Sequence, residues 1–249
     1  MRISLRKVKA ITGMKFQTLI NNTSVILAPI LAIGFIFVMK KIMPDIDVNE
    51  TAMNFSTTEF LLSFGLVFNI AIAGISMSSA PLAEEKEKNT LRVLMTSSVN
   101  GLEYLIGTLL PPLLILILAN IILIPVSGIS FEEISLSSYL LITTVASLIS
   151  LMIGYIVGIF SKNQMQASLI SMPITVLLTS VPVLNLLQDG GIGEILNYTY
   201  TGVLNNFANS IYTKGGYQWN LTDTSVLFGW LMISIGIFIY AYKKNGFDS

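Results

Sequence analysis

Residues 138–160 read SYLLITTVASLISLMIGYIVGIF, twenty-three consecutive positions without an Asp, Glu, Lys or Arg. As a helix rising about 1.5 Å per residue, this stretch crosses a hydrocarbon layer about 30 Å thick. Five further stretches share its character, at 19–39, 60–83, 104–127, 165–187 and 224–242, and none of them carries a charged side chain either. The first is the most dilute, because Asn21, Asn22, Thr23 and Ser24 stand at its start. Lys40 and Lys41 close it by extending their ammonium groups to the head-group layer. In lipid a spanning segment satisfies its own backbone only as a helix or in a closed barrel. The expected fold class is therefore an all-α integral membrane protein with six transmembrane helices.

Composition supports this expectation. Of 249 residues, 53% are hydrophobic and 11% charged, against about 25% charged in soluble domains, and the mean hydropathy is +0.74. Cys and His are both absent. That removes disulfides, thiolate and imidazole metal sites, Cys and Ser-His nucleophiles and histidine proton switches. Fourteen basic residues balance fourteen acidic ones, so nucleic acid is not an expected partner; the lipid bilayer is. With both termini inside, eleven Lys and Arg fall on the inner side and three on the outer, the bias of a protein with cytoplasmic ends. Lys40 and Lys41 are the local exception.

Outside the spans, residues 1–22 form a basic stretch in which Leu5, Val8, Ile11, Phe16 and Leu19 share one helical face, interrupted by Thr12 and Lys15. The pattern predicts an interfacial helix. Residues 188–223 are too apolar for a solvated loop and predict short helices dipping into the outer face, their backbone groups paired within helices or buried against protein. Within the spans, Gly154 and Gly158, and Gly74 with Ser78, form small-x-x-x-small pairs that permit close helix packing, and Asn69 and Asn120 are candidates for interhelical hydrogen bonds. Pro111, Pro112, Pro125, Pro173 and Pro182 read as kinks or span ends. There is no internal repeat and no separate soluble domain.

The charged run Glu84-Glu85-Lys86-Glu87-Lys88-Asn89-Thr90-Leu91-Arg92-Val93-Leu94-Met95 joins the second and third spans. In a helix, Leu91, Leu94 and Met95 share one face while the charged turns before them stay wet. That is a docking knob for a cytoplasmic partner, or a solvated run that anchors span ends. The run through Val99, with Leu102, Glu103 and Gly107 after it, resembles the inner loop of ABC-2 type permeases. The matching positions are Glu85, Glu87, Thr90, Leu91, Leu94, Val99, Glu103 and Gly107. Asn89 stands where that family usually has Gly, a mild departure because Asn tolerates a left-handed backbone. Arg92, Ser98 and Thr108 also depart from the pattern. The layout is similar as well: a basic N-terminal helix (1–22), a cytoplasmic coupling loop (84–100) and an outer re-entrant segment (188–223), all in one domain over 1–249.

The resemblance implies a multi-pass protein of a bacterial plasma membrane that pairs with a separate ABC ATP-binding subunit at its cytoplasmic face and with a second permease chain, identical or homologous. ATP and Mg would be bound by the partner subunit, with no cofactor in this chain. It also implies that Glu85, Glu87, Thr90, Leu91, Leu94 and Met95 form the ATPase-coupling element. The residues themselves agree with an external energy source. No span holds an ionisable group, which would cost about 2.5–3.5 kcal/mol and persist for ion coupling, and no Gly-x-x-x-x-Gly-Lys-Ser/Thr cradle is present. No acid–base pair converges in the spans, so the chain is expected not to be an enzyme. Phe60, Phe64 and Phe68 stand at i, i+4, i+8 beside Asn69 and are candidates for the substrate route. Three rings on one face suit an amphiphilic or hydrophobic cargo such as a peptide, antibiotic or toxin, and equally a contact with lipid or another helix. Ion or polysaccharide export, and a non-transporting scaffold, immunity or sensor protein, are the alternatives.

Overall fold

The computed structural model describes residues 4–43, 56–90, 100–187, 191–212 and 217–244. Among them, six helices are long and apolar enough to cross a membrane, and their cores match the six stretches read from the sequence. Helix α1 (Leu5–Asn21) is followed by α2 (Thr23–Ile42), the first span. The break comes at Asn22, in an extended conformation at φ −90° and ψ 91°. The break falls within the polar run Asn21 to Ser24, and the first spanning helix begins at Thr23 rather than at residue 19.

The second span is the longest at 31 residues. It comprises α3 (Thr57–Val67), a π-helical segment over Phe68–Ala73 and α4 (Gly74–Glu87). It is also the most buried of the six, with α2, α5, α6 and α7 all packed against it. Helix α5 (Gly101–Ser127) runs through Pro111, Pro112 and Pro125 without ending, and α6 (Leu136–Phe160) returns beside it. Helix α7 (Gln164–Thr179) contains Pro173, while Pro182 sits in the first turn of α8 (Val181–Leu186), just past the break at Ser180. Pro182 thus opens a helix and Pro125 lies in the last turn of one, while Pro111, Pro112 and Pro173 lie within helices.

The glycine pairs are packing devices. A Cβ on Gly154 would stand 3.0 Å from the Cα of Ile75, and one on Gly158 would meet Leu82 Cβ and the Ser79 carbonyl, each at 3.0 Å. Close approach of α4 and α6 thus depends on both positions. The apolar segment before the last span folds as α9 (Ile192–Leu196) and α10 (Tyr200–Asn209). Thr199 caps α10 by accepting the Gly202 N–H at 3.1 Å. The helix is buried on most sides among α3, α6 and α11 (Leu221–Lys244). The Tyr200 hydroxyl meets Ser150 Oγ at 2.7 Å, and Ser63 Oγ donates to Asn205 Oδ1 at 2.7 Å. A polar helix end thereby enters the bundle with its groups paired, as low-dielectric burial demands.

Two lysines cap neighbouring helices at opposite ends of the bundle. Lys40 Nζ donates to the Ser127 carbonyl at 2.9 Å, at the last turn of α5. Lys86 Nζ donates to the carbonyls of Gly158 (3.4 Å), Ile159 (2.5 Å) and Ser161 (2.7 Å), at the end of α6. A cation at a helix C-terminus satisfies orphan carbonyls and the negative end of the dipole. This gives Lys40 a structural reason to stand on the side where basic residues are scarce.

Candidate functional site

Three side chains from three helices meet at the basic end of the bundle. On α1 the buried face is Val8, Ile11, Lys15 and Leu19, so the lysine that interrupts the apolar pattern points inward. Its Nζ pairs with Glu85 Oε1 in the last turn of α4. The Tyr104 hydroxyl, on α5, donates to Glu85 Oε2 at 2.6 Å. Lys15 Nζ also lies 5.2 Å from the centre of the Tyr104 ring. Burial draws the Lys15 ammonium down from its ordinary value to about 8, which leaves it charged at neutral pH and the pair intact.

Helix α1 is fastened to α5 by two further contacts. Glu103 and Asn100 form a capping box at the start of α5, and Glu103 Oε1 accepts the Ser4 N–H at 2.8 Å. Gly107 leaves room for Ile11, since a Cβ there would stand 2.7 Å from Ile11 Cγ2. The two positions singled out after the charged run, Glu103 and Gly107, thus hold the N-terminal helix in place.

The end of α4 is gripped on its other side too. Lys86 caps α6, and Glu87 Oε2 accepts the Gln164 N–H at 3.4 Å, at the start of α7. Beyond this, Glu87, Lys88, Asn89 and Thr90 are exposed. Lys88 pairs with Glu84, whose hydrogen bond and charge raise its pKa. Asn89 has φ +57°, the left-handed conformation that follows a helix end and favours Gly or Asn. The Thr90 hydroxyl donates to the Glu85 carbonyl at 3.2 Å. Of the six residues assigned to coupling, Glu85 turns into the bundle, Glu87 and Thr90 stay at its surface, and Leu91, Leu94 and Met95 lie outside the described residues.

Phe60, Phe64 and Phe68 form a ladder, with ring centres 6.0 and 6.1 Å apart. Phe35 of α2 closes against it at 5.6 Å from Phe64 and stacks on Phe68 at 6.3 Å. The ladder faces outward from the bundle with each ring half-buried, and Ile72 and Ser76 continue that half-buried edge toward the basic end. Asn69 lies off this face: it is fully buried and its Nδ2 donates to Asn120 Oδ1 at 2.8 Å. The structure therefore brings the three rings together, adds Phe35 and Lys15, which sequence reasoning had not placed, and turns Asn69 toward α5. The signal for Lys15 was its position on the buried face of an amphipathic helix; Phe35 had none, because nothing in the sequence pairs α2 with α3.

The family model described as "Fluoroquinolones export permease protein Rv2686c-like" matches residues 22–207 of the chain. No curated protein matches it significantly. The matched region takes in the first five spans, the charged run between the second and third, and most of α10. With six spans, the loop motif and this match, the chain belongs to the Rv2686c-like export permeases, a family of the ABC-2 type.

Proposed function

We propose that this chain is the transmembrane subunit of an ATP-driven exporter in the plasma membrane, with its basic end in the cytoplasm. A separate ABC ATP-binding subunit binds ATP and Mg and docks on the 84–100 segment; a second permease chain completes the transport unit. One observation carries the reading. The second span runs uninterrupted from Thr57 to Glu87, its last turn is held by α1, α5, α6 and α7, and the residues just beyond it are exposed. A push on the exposed segment is thereby delivered to the centre of the bundle.

The substrate route runs along the outward edge of that same span, where the Phe ladder offers flat apolar surface. The cargo that fits is an aromatic amphiphile, and the fluoroquinolone for which the family is described is of that class. Leu91, Leu94 and Met95 supply the apolar knob of the docking element. The test is a pull-down of the detergent-solubilised protein from its own cells, comparing wild type with Leu91→Asp/Leu94→Asp. An ATP-binding subunit should co-purify with the wild type and be lost with the double variant. If none accompanies the folded wild type, the reading fails.

A further inference from the structure

The Lys15, Glu85 and Tyr104 cluster has a property that capping and packing do not require. Helix α1 rests mainly on α5, through Ser4 with Glu103, Ile11 against Gly107 and Lys15 beside Tyr104. Its polar tie to α4 is the Lys15–Glu85 pair. On the surface side of that pair, α1 and the end of α4 part around an open cleft of about 850 Å³, bordered by Met14, Thr18, Asn22, Glu84 and Lys88. A smaller cavity beside the pair is lined by Tyr104, Thr108 and Tyr155. The pair thus bridges two helices where apolar packing between them gives out.

We infer that Lys15 and Glu85 are positioning residues, which with Tyr104 join α1 and α5 to the end of α4 as one moving body. This rests on the exporter reading for its purpose. When the 84–100 segment shifts, α4 carries Glu85 with it, and a buried charge cannot leave its partner without losing both the pair and its second hydrogen bond. The N-terminal helix and the third span then follow the loop. Lys86, the next residue, ties the same turn to α6, so the two neighbours distribute one displacement to opposite sides of the bundle. A cluster with a purely structural role would tolerate neutral substitution of both charges, because removing the pair together strands neither of them.

The experiment uses the full chain, which has no native cysteine, with spin labels at Gln17→Cys on α1 and Lys88→Cys beyond α4. Distances are compared in wild type, Lys15→Met/Glu85→Gln, the exchange Lys15→Glu/Glu85→Lys, and Tyr104→Phe. Export and ATP hydrolysis are measured in vesicles that carry the same variants without labels. The neutral pair should broaden the single distance or add a second population. It should cut export at least tenfold. The exchange should restore at least half of the export, and Tyr104→Phe should give a smaller loss in the same direction. An unchanged distance in the neutral pair, or export within twofold of wild type, overturns the inference. Wild-type vesicles without ATP-dependent export would overturn the exporter reading instead, and the distance comparison, which needs no partner, still decides whether the two helices move as one.

Discussion

At the scale of single residues, charge and backbone conformation set the expectations. Lys15 sits among Glu85 of α4 and Tyr104 and Tyr155 of α5 and α6, with a pKa drawn down to about 8 by burial. A free lysine titrates near 10.4, so between about pH 8 and 10.4 the unfolded chain binds a proton that the folded chain does not. Linkage then makes stability rise with pH across that window, the penalty on the charged form being complete below pH 8. Melting temperatures in detergent should show this rise for wild type relative to Lys15→Met. A constant difference from pH 7 to 10 would contradict it. Asn89 provides a second case. At φ +57°, Asn89→Gly should be neutral or slightly stabilising, and Asn89→Val should cost about 1–2 kcal/mol, the penalty of a left-handed backbone for a branched side chain. Thermal unfolding of the three proteins checks the order, and a Val variant as stable as Asn would refute the assigned conformation.

At the scale of elements, helix contacts that depend on missing side chains are the most sensitive. Gly154→Ala would press a methyl group toward the Ile75 backbone, where no rotamer can yield, and should cost about 1–3 kcal/mol. Gly236→Ala has nothing within 4 Å and should change stability by less than about 0.5 kcal/mol. Paired melting curves test the contrast, and equal effects would show that α4 and α6 do not pack as described. The spans themselves were legible because uncharged apolar runs of nineteen or more residues satisfy their backbone in lipid as helices. The break at Asn22 was partly legible from the polar run Asn21 to Ser24. The π-helical segment at Phe68–Ala73 was not, since nothing local distinguishes it from the α-helix on either side. That α5 continues past Pro111 and Pro112 was not legible either, because local rules give the strain of a proline and not the packing that absorbs it. At the site, Glu85 was legible as a charge in a motif, but its inward orientation required Lys15, seventy residues away, to be placed opposite.

At the scale of the whole molecule, the longest span of this permease is proposed to serve as both the lever and the wall of the route. Eleven basic residues on one side and three on the other give the orientation proposed here, basic end inward, with Lys40 accounted for by its bond to the end of α5. Single-cysteine reporters at Gln17 and Lys162 should react with a membrane-impermeant thiol reagent only from the cytoplasmic side, and one at Glu132 only from outside. The reverse pattern would invert the topology and remove the basis for docking an ATPase on the 84–100 segment.

The most direct test of the central claim is uptake of a fluorescent fluoroquinolone by inside-out membrane vesicles from cells that express the chain with its ATP-binding subunit. ATP-dependent accumulation that is abolished by Leu91→Asp/Leu94→Asp is the predicted result. Accumulation that proceeds equally without ATP, or that survives the double substitution undiminished, would contradict an exporter driven through this loop.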